Sequence, residues 1–154
     1  METVIPNQYP LRKFRSLFAS LEVLESRTLG GKYRGAFVGP GWVRILAWPA
    51  LLAAGLGGWW GKMIYDDGRA INIVCREGKF SACYPMKFRR ERSQIERQEG
   101  WALHYQYQRE NPFLCLFIVD ESRRINESSL LGMTRIKNPG LRWLAFPFVL
   151  QKQK

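Results

Sequence analysis

Leu11, Phe14, Leu17, Phe18, Leu21 and Leu24 recur at three- and four-residue steps, with Arg12, Lys13, Arg15, Ser16, Ser20 and Glu22 between them. That spacing predicts an amphipathic helix over residues 11–25, begun after Pro10 and stopped before the Gly30-Gly31 pair. Beyond it the helical period gives way to short β-branched and aromatic runs at 32–38, 60–65, 70–75, 79–84, 101–108, 113–125, 130–136 and 144–150. Turn chemistry separates them at Asp66-Asp67-Gly68, Glu77-Gly78, Glu110-Asn111-Pro112 and Asn138-Pro139-Gly140. In the last run Leu144, Phe146, Phe148 and Leu150 share a face, and Pro147 is tolerable at an edge, at a bulge or with its nitrogen turned from a neighbour. The pattern predicts a mainly β fold: one domain over 1–154 whose residues 31–150 form about eight antiparallel strands, a meander closing into a small barrel or a sandwich.

One segment departs from this rhythm. Ile45 to Gly61 is a run of 17 positions without a charge, bordered by Arg44 and Lys62, with Trp48, Trp59 and Trp60 inside it and Trp42 just before it. A membrane span needs roughly 20 apolar residues, and this run also carries Pro49, Gly55, Gly57 and Gly58. The expectation is a short apolar helix inserted at about 45–58, starting near Pro49 and capped at Gly55. Its role is open between core helix, lid and shallow membrane contact, since tryptophan beside basic residues suits an interface between apolar and wet surroundings. Residues 88–100, dense in Arg and Glu with Ile95 as the apolar exception after Phe88, are expected to be an exposed connection.

Composition changes the picture in two respects. At 154 residues, 46% hydrophobic and 14% aromatic, the chain has material for one real core. Its 24 Lys and Arg against 13 Asp and Glu leave a net charge of +11, which favours anionic partners such as acidic lipid headgroups or an acidic ligand. Nucleic acid is not an expected partner, because the cations are spread along the chain and no RNP-like, helix-turn-helix or zinc-finger pattern occurs. Cys75, Cys83 and Cys115 are an odd, widely spaced set that argues against a disulfide framework. The first 30 residues hold no uninterrupted apolar stretch with a cleavage site, so the expected compartment is the cytoplasm, with the membrane periphery as the alternative.

Gly31-Lys32-Tyr33-Arg34-Gly35 resembles the G-x-W-x-G motif of the GXWXG family of mostly bacterial proteins, with Tyr33 where that family has its tryptophan. Trp60-Gly61-Lys62-Met63-Ile64 is similar to that family's next strand, and Val119 to Ile125 followed by Leu130-Leu131-Gly132-Met133 is similar to its C-terminal half. The resemblance implies a compact lipocalin-like or nitrobindin-like barrel and leaves activity open.

A barrel of that size is filled by side chains or holds one small ligand. The expected function is binding of a small hydrophobic or lipid-like molecule, with an acidic group as one option. The residues expected to line its site are Trp60, Lys62, Tyr65, His104, Arg123 and Phe146, with Tyr105, Tyr107, Phe117 and Phe148 among further aromatics. The alternative is a small cyclase- or isomerase-type enzyme in which His104, the single histidine, or Asp120 moves a proton, with Glu121, Tyr65 or Tyr107 as orienting partners. With no second histidine and no cysteine cluster, neither metal nor cofactor is expected. Alternation along the last polar strand sets Glu121 and Arg123 on one face and Asp120 and Arg124 on the other.

Overall fold

The computed structural model describes residues 9–24, 29–97, 99–105, 111–141 and 144–154. Tyr107, the end of the strand expected to reach Gln108, and Glu110 of one expected turn lie outside these residues. The elements are helix α1 (Leu11–Ser20), β1 (Glu22–Val23), β2 (Gly31–Phe37), helix α2 (Gly41–Ala53), β3 (Trp59–Ile64), β4 (Arg69–Arg76), β5 (Lys79–Arg92), β6 (Glu99–Tyr105), β7 (Ile118–Asn126), β8 (Ser129–Ile136) and β9 (Ala145–Lys152). Short 3-10 turns sit at Phe113–Phe117 and Pro139–Leu141.

From β2 to β9 every strand pairs antiparallel with the next, and β9 returns to pair with β2, Gly35 opposite Leu150 and Phe37 opposite Phe148. The result is a closed eight-stranded up-and-down barrel, with β1 added beside β7. Closure leaves the barrel strands no free edge to recruit another chain. Among the described residues three irregularities break the register, one between Trp59 and Gly61, one between Ile71 and Asn72 and one between Arg124 and Asn126. At the second, Tyr84 takes a left-handed backbone (φ 56°), where β5 carries one residue more than β4 opposes.

The interior is stacked from one end to the other. Leu24 and Leu29 close one end, where the buried Tyr33 hydroxyl donates to the Leu29 carbonyl. Ile64, Val74, Met86, Phe88, Leu103, Phe148 and Leu150 fill the middle. α2 crosses the opposite end. A second layer lies outside the wall: Phe14 and Phe18 of α1, fully buried, pack over Leu131, Met133 and Ala145 on the outer face of β8 and β9.

Four local expectations are corrected. α1 ends at Ser20 instead of reaching residue 25. There the Ser20 hydroxyl donates to the Leu17 carbonyl and Leu21 N–H to that of Phe18, and the chain turns into β1. α2 starts at Gly41, with Pro40 before it, and carries Pro49 inside; the expected start at Pro49 is late by two turns, while the end near Gly55 (φ 74°) holds. Residues 113–117 form a 3-10 turn instead of a strand, with Cys115 N–H bonding to the Pro112 carbonyl. β5 runs through to Arg92, so half of the expected exposed connection is barrel wall, paired from Met86 to Arg92 with β6.

Candidate functional site

β3 and β7 stand on opposite sides of the barrel, and Lys62 and Asp120 point inward from them. Lys62 Nζ lies 2.9 Å from Asp120 Oδ2, both essentially out of solvent. Lys62 also donates to Asn72 Oδ1 (2.8 Å), and its third close neighbour is Met86 Sδ (3.3 Å). Asn72 Oδ1 accepts a second bond from Trp59 Nε1 (3.1 Å), and Asp120 Oδ1 accepts from Thr134 Oγ1 (2.7 Å). Thr134 stands opposite Asp120 in the β7–β8 register, which brings its hydroxyl within reach. Buried charges persist when paired and hydrogen-bonded, and this cluster meets both conditions.

Above the cluster is a cavity of about 60 Å³. Its walls are Phe37, Trp59, Ile118, Phe146 and Phe148, its floor is Lys62, Asn72, Asp120 and Thr134, and its roof is Ala47, Ala50 and Leu51 of α2 with Ala54 just past its end. Two glycines make room for the walls. A Cβ on Gly35 would overlap the Trp59 ring, and one on Gly132 would overlap the Phe148 ring. The Trp59, Phe148 and Phe37 rings meet one another at centroid distances of 5.4–6.2 Å, tilted or edge-on. Gly-Lys-Tyr-Arg-Gly thus has a structural meaning: Tyr33 is core, and Gly35 leaves the space that Trp59 occupies.

Beneath the roof, the Cys115 thiol donates to the Ala54 carbonyl at 3.5 Å. Burial raises its pKa to about 11, with Cys83 and Asp120 adding to the rise and Lys62 opposing it. All three cysteines are free thiols.

Of the residues expected from sequence, Lys62, Asp120, Phe146 and Phe148 meet at this cavity. The others lie elsewhere. Trp60 points outward, edge-on to Phe80 with Lys32 over its ring, because the bulge beside it turns Trp59 inward instead. Tyr65 sits at the β3–β4 turn, 44% exposed, under the Arg69 guanidinium. Arg123 is buried on the outer face of β7, paired with Glu96 and stacked over Phe18. His104 is also on the outer side of the wall, where Nε2 is 2.8 Å from Glu91 Oε2. His104 and Asp120 therefore face opposite sides of the barrel wall and share no pocket.

The outer network is extensive. Arg135 donates to Glu91 (2.6 Å) and to Glu121 (2.7 Å), and Glu121 takes further bonds from the Ser93 hydroxyl and the Gln94 N–H. Burial pushes the Glu91 carboxyl up, but hydrogen bonding and charge from His104 and Arg135 outweigh it and hold its pKa below the ordinary carboxylate value. These bonds fasten the 93–97 loop to β7, and Arg135 ties β8 to β7 and β5. Glu121 and Arg123 thus share the outer face, as alternation requires, with Asp120 on the inner one.

Trp59, Asn72 and Thr134 are site residues the sequence reading did not select. Asn72 had a signal, a lone amide inside the apolar run Ala70-Ile71-Asn72-Ile73-Val74. Among the described residues no cluster of His, Cys, Asp or Glu could hold a metal, and no helix is long and apolar enough to cross a membrane.

Fold and cavity together define the class: a small closed antiparallel β-barrel, roofed by a helix, with a polar-floored lumen. No family model and no curated protein matches the chain. The crystal structure of a protein from Thermomonospora curvata superposes with a TM-score of 0.71 at 19% identity, covering 96% of this chain and 91% of that one, a likeness of fold.

Proposed function

We propose that the barrel binds a small, largely hydrophobic or lipid-like molecule in its lumen, with the polar end on the Lys62, Asn72, Asp120 and Thr134 floor. The observation that carries this reading is the cavity itself: aromatic walls, a few convergent polar groups at one end, and a roof made of one helix. The G-x-aromatic-x-G run supports placing the chain among GXWXG-type, lipocalin-like barrels. At about 60 Å³ the enclosed space is far below the roughly 300–1,000 Å³ of drug-sized sites. It takes a small molecule, or the end of a longer one whose remainder displaces α2.

The charge balance narrows the ligand. Asp120 already neutralises Lys62, so the floor offers donors and acceptors but no net charge, and a hydroxyl or carbonyl end suits it better than a carboxylate. The test is native mass spectrometry with solvent extraction of the purified protein, followed by titration of Trp fluorescence with a medium-chain alcohol and the matching acid. A stoichiometric adduct and tighter binding of the alcohol are expected. Asp120→Asn should reverse the preference toward the acid by freeing the Lys62 charge. An apo mass together with no binding of either probe would sink the reading.

A further inference from the structure

The helix that roofs the cavity is wrongly made for a helix facing water. α2 has 13 residues and a single charge, Arg44. An all-round apolar helix belongs in a core or a membrane, yet α2 buries only one side, through Val43 and Ala47. Trp42, Ile45, Leu46, Trp48 and Leu52 face outward, Ile45 73% and Trp48 56% exposed. Next to it the 3-10 turn turns out Phe113 (70%), Leu114 and Phe117. The Cys115–Ala54 bond and the approach of Pro112 to Gly55 join the two into one surface. Of the ten large apolar side chains exposed among the described residues, eight lie on these two elements, so the patch is not the ordinary scatter of surface hydrophobics.

We propose that this face, α2 with residues 113–117, docks the protein onto an anionic lipid membrane. The helix, at about 1.5 Å per residue, is too short to cross a hydrocarbon core of about 30 Å, so it lies in the plane of the interface with its tryptophans at headgroup depth. No carboxylate occurs from Val38 to Tyr65 or from Asn111 to Val119. Cations rim the face instead: Arg44 on α2, Arg76 bonded to the Gly55 and Gly57 carbonyls, and Lys137 beside Phe117. A chain carrying +11 is drawn to acidic headgroups, whereas a second copy brought to the same face would add its own +11. Docking stands whether or not the lumen holds a lipid; if it does, the helix that touches the membrane is also the cavity roof.

Flotation of the full chain with vesicles of phosphatidylcholine, with and without phosphatidylglycerol, tests this at low and high salt. Binding is expected with phosphatidylglycerol, weakening as salt rises. Trp48→Ser with Phe113→Ser, both on exposed positions outside the cavity lining, should lower the bound fraction about tenfold. Phe80→Ser, on an exposed aromatic elsewhere, should not. Retained alcohol binding by the double variant in solution separates a failure of docking from a failure of the ligand reading. The proposal is overturned by no flotation with anionic vesicles at low salt, by unchanged flotation of the double variant, or by a wild-type dimer that the double variant dissociates.

Discussion

Lys62 and Asp120 form a 2.9 Å ion pair that spans the barrel from β3 to β7, fixing two opposite walls at the level of the cavity floor. Removing one partner leaves the other buried and unpaired, which typically costs about 3–5 kcal/mol. Lys62→Met and Asp120→Leu should each lower stability by that order in urea unfolding. The double variant should recover most of the loss. A purely additive cycle would show that the two charges do not act as a pair.

Gly35→Ala puts a methyl group where the Trp59 ring lies. The ring must shift, loosening its bond to Asn72 and narrowing the cavity. Overpacking of this kind costs roughly 1–3 kcal/mol, readable in thermal unfolding, and a shift in Trp fluorescence should accompany it. Gly78→Ala is a poorer comparison because its left-handed backbone (φ 76°) carries a separate strain; Gly41→Ala, with open space around it, is the proper control.

Cys115, with its pKa near 11 and its thiol under α2, should resist iodoacetamide at pH 8 while the roof is closed. Cys75 and Cys83 are both partly buried, and burial raises the pKa of the Cys83 thiol, so Cys75 should label first. Unfolding in urea should make all three thiols equal. Labelling of Cys115 in the native protein, slowed by a bound alcohol, would time the opening of the helix.

Glu91 has a depressed pKa in the folded protein, so its contribution to stability is complete above the ordinary carboxylate value of 4.5 and is lost as pH falls through the lower folded value. Acid unfolding of the wild type should therefore steepen below pH 4.5. Glu91→Gln should flatten that limb and lower stability at neutral pH, where His104 and Arg135 lose their shared carboxylate. Circular dichroism against pH checks both. Because His104 sits outside the wall, His104→Gln should change the same acid limb and leave alcohol binding intact.

The barrel itself was legible in the sequence, and the physical reason is visible strand by strand. Leu144, Phe146, Phe148 and Leu150 alternate because one face of β9 is core, and the turns fall where glycine, asparagine or proline stand. Register was the harder part. Trp59 and Trp60 are chemically alike, and only the bulge at their position decides which enters the lumen. Arg123 and His104 were expected among the residues lining the lumen. In fact the outer face of β7 is covered as well, by α1 and the 93–97 loop, so polar residues there are buried without facing the cavity. Met86 and Phe88 alternate with Lys87 and Arg89, yet the density of charge beyond them masked β5's second half.

Closure of the sheet also orders the birth of the molecule. β2, at Gly31–Phe37, finds its second neighbour only in β9, at Ala145–Lys152, more than a hundred residues later in synthesis. Until β9 emerges, the nascent meander is an open ribbon with β2 and β8 as bare edges, the state most exposed to pairing with other chains. The slow, long-range step of zipping β9 between them is therefore the one on which chaperone demand should fall, and strand-edge charges such as Lys32, Arg34 and Arg135 are well placed to keep that ribbon apart from its neighbours until it closes.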